Sequence, residues 1–555
     1  MSEFRILKQS FFKQWPDPIP ERVKELDALD RVRDGTIYDN LPYPFETEFD
    51  DNGVYVSIGE RRPSARYRMA KVVVDETAAL TFGEGHSSYI KVYDPFASAV
   101  EGEDDEAGDS KTKKLTQIIE FIRYVVKMDA TMFECVQKGS SGSVCAIVKV
   151  TKSGRPWVRV VRGADLQPVF DHDDPDELVS LAEIYKTSLK DLLDFGYTRT
   201  ELGYDPKDDP SGNDEFWVNH TLDAYQEQWM IPLRRKDFNN IGKKKDDGTN
   251  GRYEWTPDKS RNYPHKWGVV PAIWGRNLHE REEIDGPSTF EAIVDNCIEL
   301  DYLVSQIGRG FKYSMDPLLA IKSGGMRTQL PAVGLETPEG TPNIDRTPAR
   351  IVSIPSDGDA KMLEIAGQGL TAAREWSKLI REWSMEVVGG MKSDQEHAGG
   401  PQSGRALELL HQALVWLVGR MRLDYGDGMM IPLIKLILKG VQLGFIQLWG
   451  VTTADIPEED YPLRNVWPSW WQPRGADLYQ TAQALLLAAG GSSREGKQML
   501  PMRYVFEALA AALGHPDPAS IADQAQKEFD QFREEQLEIL KPAATGGNAT
   551  GGSGT

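Results

Sequence analysis

The chain has 555 residues, 64 Lys and Arg against 85 Asp and Glu, and a formal net charge of −21. That length accommodates roughly three or four domain-sized units, and 14 Trp, 19 Tyr and 19 Phe supply ample apolar surface for their cores. The charge excludes a protein that wraps nucleic acid in an overall basic surface, but screening over roughly 8 Å still allows nucleic acid to pass a locally suitable lining.

The three cysteines, Cys135, Cys145 and Cys297, form no C-x-x-C pair. No disulfide framework or thiolate metal centre is expected, which suits assembly in a reducing cytoplasm. The first residues, MSEFRILKQSFFKQW, lack the apolar run of a secretory signal. The most apolar region, Met429 to Trp449, is broken by Pro432, Lys435 and Lys439. A core helix is expected there rather than a membrane span.

In chain order, residues 1–60 suggest a mobile entry segment with a short charged helix from Pro20 to Arg33. A helix is predicted over Ala65 to Phe82, with Met69, Val72, Val73, Thr77, Leu80 and Thr81 on one face, and another over Leu115 to Met128. Between them Glu101 to Asp109, EGEDDEAGD, is an acidic solvated loop. From Ala130 to Tyr225 the period changes. VCAIVKV, PWVRVVRG and LQPVFDHD are β-branched runs punctuated by Gly, Pro and Asp, which predicts an antiparallel meander. Lys236 to Lys259 is a polar insertion, expected as a long hairpin or exposed loop, and WGVVPAIW (Trp267 to Trp274) is another predicted strand.

A long helix is predicted from Phe290 to Tyr313, with a stripe of Phe290, Ile293, Val294, Cys297, Leu300, Val304, Ile307 and Phe311. Pro317 ends it. Residues 317–365 are rich in Gly and Pro and hold two strand-like runs, LLAIK and RIVSIP. A second long helix runs from Gln368 to Val388, with Leu370, Ala373, Trp376, Ile380, Trp383 and Val387 on its face. Next comes a polar loop with Lys392, Ser393, Asp394, Gln395, Glu396 and His397, framed by Gly389-Gly390 and Gly399-Gly400-Pro401. An ordered polar loop between long helices is costly and usually has a task. The following helix carries Leu407, Leu410, Leu414, Leu417 and Met421, with a kink expected at Gly426-Asp427-Gly428. The extended segment YPLRNVWPSWWQP leads to a helical block from Ala476 to Leu540 and a low-complexity tail.

Two motifs resemble chemical sites, and the first fails its test. GSSREGK (Gly491 to Lys497) has phosphate-loop spacing, but Gln498 stands where a metal-binding Ser or Thr is needed, and the preceding segment is helical. FDHDDPDE (Phe170 to Glu177) could attract a divalent cation, although a turn at a strand end is the simpler reading. No nucleophile elbow, H-E-x-x-H or dinucleotide fingerprint occurs, so no residue takes a catalytic role and no cofactor is expected.

The segment P-Q-S-G-R-A-L-E-L-L (Pro401 to Leu410), opening a long helix after a helix and a glycine-bounded loop, resembles tailed-bacteriophage portal proteins, the head-to-tail connectors. WGVVPAIWGRN followed by GPSTFEAIVDN resembles that family's entry into its first stem helix. WPSWWQPRGADLYQTAQALLLAAGGSSREG resembles its passage from wing to crown. The likeness covers roughly residues 60–540 and rests on the order of segments.

The resemblance implies an α+β fold with wing, long-helix stem, small α/β clip, tunnel loop and helical crown. Residues 1–285 would form the N-terminal segment and wing, 286–316 the first stem helix, 317–365 the clip and 366–388 the second stem helix. Residues 389–403 would be the tunnel loop, 404–474 the wing's long helix and return strand, 475–540 the crown, and 541–555 a disordered tail. Stem packing falls to Phe290, Ile293, Cys297, Trp376, Ile380 and Trp383. Lys392, Ser393, Asp394, Gln395, Glu396 and His397 would face DNA.

The family forms rings, usually of twelve subunits, at one capsid vertex of the virion, assembled in the host cytoplasm. Double-stranded DNA passes through the channel during packaging and ejection. Terminase, head-completion or adaptor proteins, and major capsid and scaffolding proteins are the implied partners; no membrane is. Lys392 against Asp394 and Glu396 leaves the loop with weak net charge, which suits mobile contacts to phosphates rather than base readout. Replacing Lys392 and His397 by Ala is expected to alter packaging or genome retention, measured as DNA per particle, with ring assembly intact. The competing readings are a metal-dependent nuclease using Asp171, His172, Asp173 and Asp174, and a monomeric virion adaptor.

Overall fold

The computed structural model describes residues 3–12, 15–16, 18–92, 106–203, 215–241, 254–279, 283–315, 318–322, 359–363, 367–388, 412–457, 461–468, 483, 502–512 and 521–531. Helices and strands both contribute substantially, so the chain is a mixed α and β protein.

Among the described residues two larger antiparallel sheets dominate the β part, beside three two-stranded pairs. One has three strands, in the order Ala272–Arg276, Ser143–Val150, Pro156–Arg162. The other has six, built on Leu178–Ser188 and Glu215–Asp223, which pair over nine positions from Ser180↔Asp223 to Ser188↔Glu215. The predicted meander is therefore divided between two sheets. Cys145, Ile147, Val161, Leu166, Leu181, Leu222, Val270 and Ala272 pack between them. Strand alternation explains the division: Ser143–Val150 is buried along six successive residues because both its faces are covered. Its other face meets the largest core, which includes Ile119, Ile122, Met132, Val144, Tyr425, Met429, Leu433 and Ile437.

Several expectations are corrected. The period does not turn to β at Ala130, because Met128–Gly139 is a helix that buries Met132, Cys135 and Val136. WGVVPAIW is not a strand throughout; the strand begins at Ala272, after Gly268 (φ +68) and Pro271. Residues 1–60 are a packed segment rather than a mobile one: the expected charged helix is Glu21–Asp34, and a second helix, Glu3–Phe12, was not anticipated. Leu7, Phe11, Ala28 and Val32 enter one core with Phe290 and Ile298. Arg22 also joins Asp285 at 2.5 Å and the Leu166 carbonyl at 2.8 Å. The many charges of this segment obscured an apolar residue every three or four positions. Helix Met69–Phe82 is centred on Met69, Val73, Thr77 and Thr81, and leaves Val72 outside at 40% exposure.

The expected kink at Gly426-Asp427-Gly428 is instead a nine-residue π-helical stretch, Arg422–Met430, which joins Gln412–Met421 to Ile431–Gln442 without a break. Pro432 has no N–H to continue the regular ladder. Gly426 is needed because a Cβ there would lie 2.5 Å from the Trp467 ring. Leu463–Val466 pairs antiparallel with Tyr89–Val92, so the expected extended segment contains a strand near its start; its residues 469–473 lie outside the described residues. The polar insertion is pinned at its start by helix Arg235–Phe238, where Phe238 stacks on Trp217 at 4.5 Å. Met502–Ala512 and residues 521–531 are helical as expected, and touch through Phe506 and Phe529.

A sharp turn ties the β layer to the first long helix. Asn277 and Gly286 both donate backbone N–H groups to the Gly142 carbonyl, at 2.9 and 3.0 Å. A Cβ on Gly286 would sit 1.6 Å from the Asn277 carbonyl oxygen. Gly286→Ala is therefore expected to destabilise the chain by about 3 kcal/mol, read as a lowered midpoint in chemical denaturation.

Candidate functional site

Two long helices and a strand pair form the feature that the sequence places at the centre of function. Phe290 opens a 3-10 turn, Glu291–Ile293, which continues into helix Val294–Met315. Strand Leu318–Lys322 follows and pairs antiparallel with Asp359–Leu363, from Leu318↔Leu363 to Lys322↔Asp359. Helix Gly367–Val388 then returns and packs on the first helix. The first strand is the predicted LLAIK. The second was not anticipated, and RIVSIP lies outside the described residues.

Four of the six proposed packing residues meet in one core: Phe290 and Ile293 are fully buried, and Cys297 and Ile380 nearly so. Val304 and Ile307 are half-buried, and Phe311 is exposed. Asn296 donates to the Ser384 hydroxyl at 3.0 Å, and Ser384 donates to the Ile380 carbonyl at 2.7 Å. Asp301, almost fully buried, accepts from Tyr38 Oη at 3.0 Å and Tyr67 N at 2.6 Å. Burial raises its carboxyl above the usual range despite these bonds. Burial, with Asp301 nearby, pushes the Cys297 thiol up to about 12, so it is a packing group rather than a nucleophile.

Trp376 and Trp383 do not join this core. They are 41% and 48% exposed and meet edge to face at 5.6 Å. At about 100° per residue, helix Gly367–Val388 has four distinct sides. Ile380 and Ser384 face the first helix. Trp376, Leu379, Trp383 and Val387 form one flank, all at least 40% exposed. Arg374, Lys378 and Arg381 form the opposite flank, beside a recess of about 560 Å³ bounded also by Tyr67 and Leu300. Glu375, Glu382 and Glu386 point away from the first helix.

The proposed DNA-facing residues Lys392, Ser393, Asp394, Gln395, Glu396 and His397, and the GSSREGK segment, lie outside the described residues. FDHDDPDE is a turn. Asp171 N donates to the Glu177 carbonyl at 2.9 Å, the Asp171 and Asp174 carboxylates cap Asp173 N and Asp176 N, and Asp176 pairs with Arg276 at 2.5 Å. Among the described residues no group of three or more His, Cys, Asp or Glu is arranged to hold a metal ion. Nor is any helix among them long and apolar enough to cross a membrane.

One polar cluster went unnoticed in the sequence. His220, 2% exposed, lies between Glu183 and Glu227 on neighbouring strands. Its Nε2 is 2.8 Å from Glu227 Oε1, its Nδ1 is 3.5 Å from Glu183 Oε2, and its ring stacks on Trp229 at 4.2 Å. Lys149 and Arg159, from the other sheet, reach Glu227 at 2.9 Å and Glu183 at 2.5 Å, and Tyr263 Oη donates to Glu227. Burial would raise both carboxyls and depress the imidazole. The hydrogen bonds and opposite charges outweigh it, holding Glu183 and Glu227 below, and His220 above, their ordinary values. Each acceptor has a donor, and the cluster bridges the two sheets, so it fits a structural clasp better than a catalytic centre. Alternating VNHTL offered no signal, because the partners come from strands distant in sequence.

The chain matches no protein-family model and no curated protein.

Proposed function

We propose that this chain is the portal subunit of a tailed bacteriophage: a ring at one capsid vertex that conducts double-stranded DNA and docks terminase and head-completion or tail proteins. The observation that carries the proposal is the long helical hairpin with an antiparallel strand pair at its tip and an aromatic flank left open. Two exposed tryptophans with Leu379 and Val387 on one helix are the kind of surface that a protein partner covers. The opposite flank is basic, so the two sides of the hairpin differ. A head-to-tail ring joins unlike surfaces and suits this asymmetry better than a two-fold dimer does. The acidic side, Glu375, Glu382 and Glu386, would repel a polyanion and let it slide rather than stick.

On this reading the chain itself is not an enzyme. Residues 317–365 supply the docking surface for head-completion proteins and 389–403 supply the tunnel loop. Native mass measurement and negative-stain images of the purified chain test the proposal. A closed ring with a central hole is the expected result; a monomer at all concentrations would favour the adaptor reading. Metal-dependent DNA cleavage lost in Asp173→Ala would favour the nuclease.

A further inference from the structure

Among the described residues Trp449 is the most exposed large hydrophobic side chain, at 93%, and it does not stand alone. It borders a groove of about 1120 Å³ at the junction of helices Glu106–Val126 and Met128–Gly139, whose floor includes Phe121, Val125, Met128 and Leu448. Tyr124, 80% exposed, forms the facing wall. Lys127, held in a left-handed conformation (φ +52) between the two helices, and Arg155 stand on the rim, both exposed. The turn carrying Arg155 also carries exposed Lys152, and is fixed against the Trp449 loop by a 2.9 Å bond from Gln447 N to the Gly154 carbonyl. The two acids at the groove, Glu120 and Asp129, are both engaged with Arg123, at 3.0 and 2.9 Å. The rim is thus locally cationic on a chain of net charge −21, and two aromatic rings stand ready to cover an incoming backbone.

The same helix that ends at this groove begins next to the most acidic stretch of the chain, Glu101, Glu103, Asp104, Asp105 and Glu106. Residues 93–105 lie outside the described residues. Chain length alone decides whether the two can meet within one subunit. The 21-residue helix separates its ends by about 30 Å. Residues 103–105 lie within three residues of the helix start, so they reach at most about 11 Å from it. They fall well short of Lys127 and Arg155 of their own subunit.

We infer that the Tyr124–Trp449 groove receives the acidic segment 103–106 of a second copy of this chain, with Lys127, Lys152 and Arg155 pairing its carboxylates. Donor and acceptor at opposite ends of one helix define a head-to-tail contact, which closes into a ring or extends into a filament. The inference rests on the ring reading for its biological setting, but the pairing can be tested without a ring.

The probe is a labelled synthetic peptide spanning residues 97–108, titrated against the full chain by fluorescence polarisation. Binding is expected, at least ten-fold weaker to Lys127→Glu/Arg155→Glu and to Trp449→Ser. In the assembly assay, the Lys127→Glu/Arg155→Glu chain is expected to self-associate at least ten-fold more weakly. Adding Glu103→Lys, Asp104→Lys and Asp105→Lys to it should restore association. Open filaments that show this variant pattern would uphold the pairing while removing the ring reading, and a chain that stays monomeric at all concentrations would overturn both. A ring that assembles equally well in every variant, with no peptide bound, would overturn the inference and leave the ring reading standing. So would a groove variant that loses duplex DNA binding while its self-association and peptide binding stay unchanged.

Discussion

Replacing Trp376 and Trp383 together by Ser is expected to abolish ring assembly while leaving each subunit folded. Both side chains are nearly half exposed in the single chain, so their removal takes little from its own core. At an interface, buried tryptophans are typical anchors worth about 2 kcal/mol or more each. Losing two from every contact costs about 4 kcal/mol, close to a thousand-fold in affinity. Ile380→Ser, one turn from Trp376 or Trp383 on the same helix but 3% exposed, provides the contrast. It should lower the melting temperature of the subunit itself, because it both opens a cavity and buries a hydroxyl. Mass photometry reads the first effect and thermal denaturation the second. If the tryptophan variant melts like the Ile380 variant, the aromatic flank belongs to the fold of one subunit. If rings persist, the flank is not their interface.

That contrast bears on how far the hairpin was legible in the chain. Periodicity located both long helices to within a few residues, because a stripe of apolar residues every three or four positions marks a helix whichever side becomes buried. It could not distinguish Ile380 from Trp376, which lie on adjacent sides of the same helix; only the position of the first helix separates them. The same ambiguity hid the packing of the expected helix Glu21–Asp34, where Val23, Leu26 and Val32 are diluted among charges. The division of the β-runs into two sheets was beyond reach for another reason. Ser143–Val150 pairs with Ala272–Arg276, and such a long-range pairing leaves no local mark beyond a continuous apolar run. The π-helical stretch was visible only as a glycine pair. The residue that Gly426 meets there, Trp467, lies 41 positions later in the chain.

Glu227→Ala is expected to have the largest effect on the fold of the subunit, because it removes one corner of the clasp between the sheets. His220, Lys149 and Tyr263 would all lose their acceptor, and Lys149 and the imidazolium would be left partly buried beside each other. Breaking a buried ion pair from one side costs about 3–5 kcal/mol. The pH dependence carries a sign for each group. Glu183 and Glu227 are held below their ordinary value, so their contribution is complete above about 4.3 and is lost as pH falls through the lowered values. His220 is held above its ordinary value, so its contribution is complete below about 6.5 and disappears as pH rises through the raised value. Stability from the clasp should therefore plateau between about pH 4.5 and 6.5 and decline on the alkaline side through His220 alone. Urea denaturation of the wild type and His220→Asn tests this. The stability difference between them is expected to be greatest near pH 6 and smaller near pH 9. A difference that stays constant across that range would mean that the ring is held by packing on Trp229 and not by its charge.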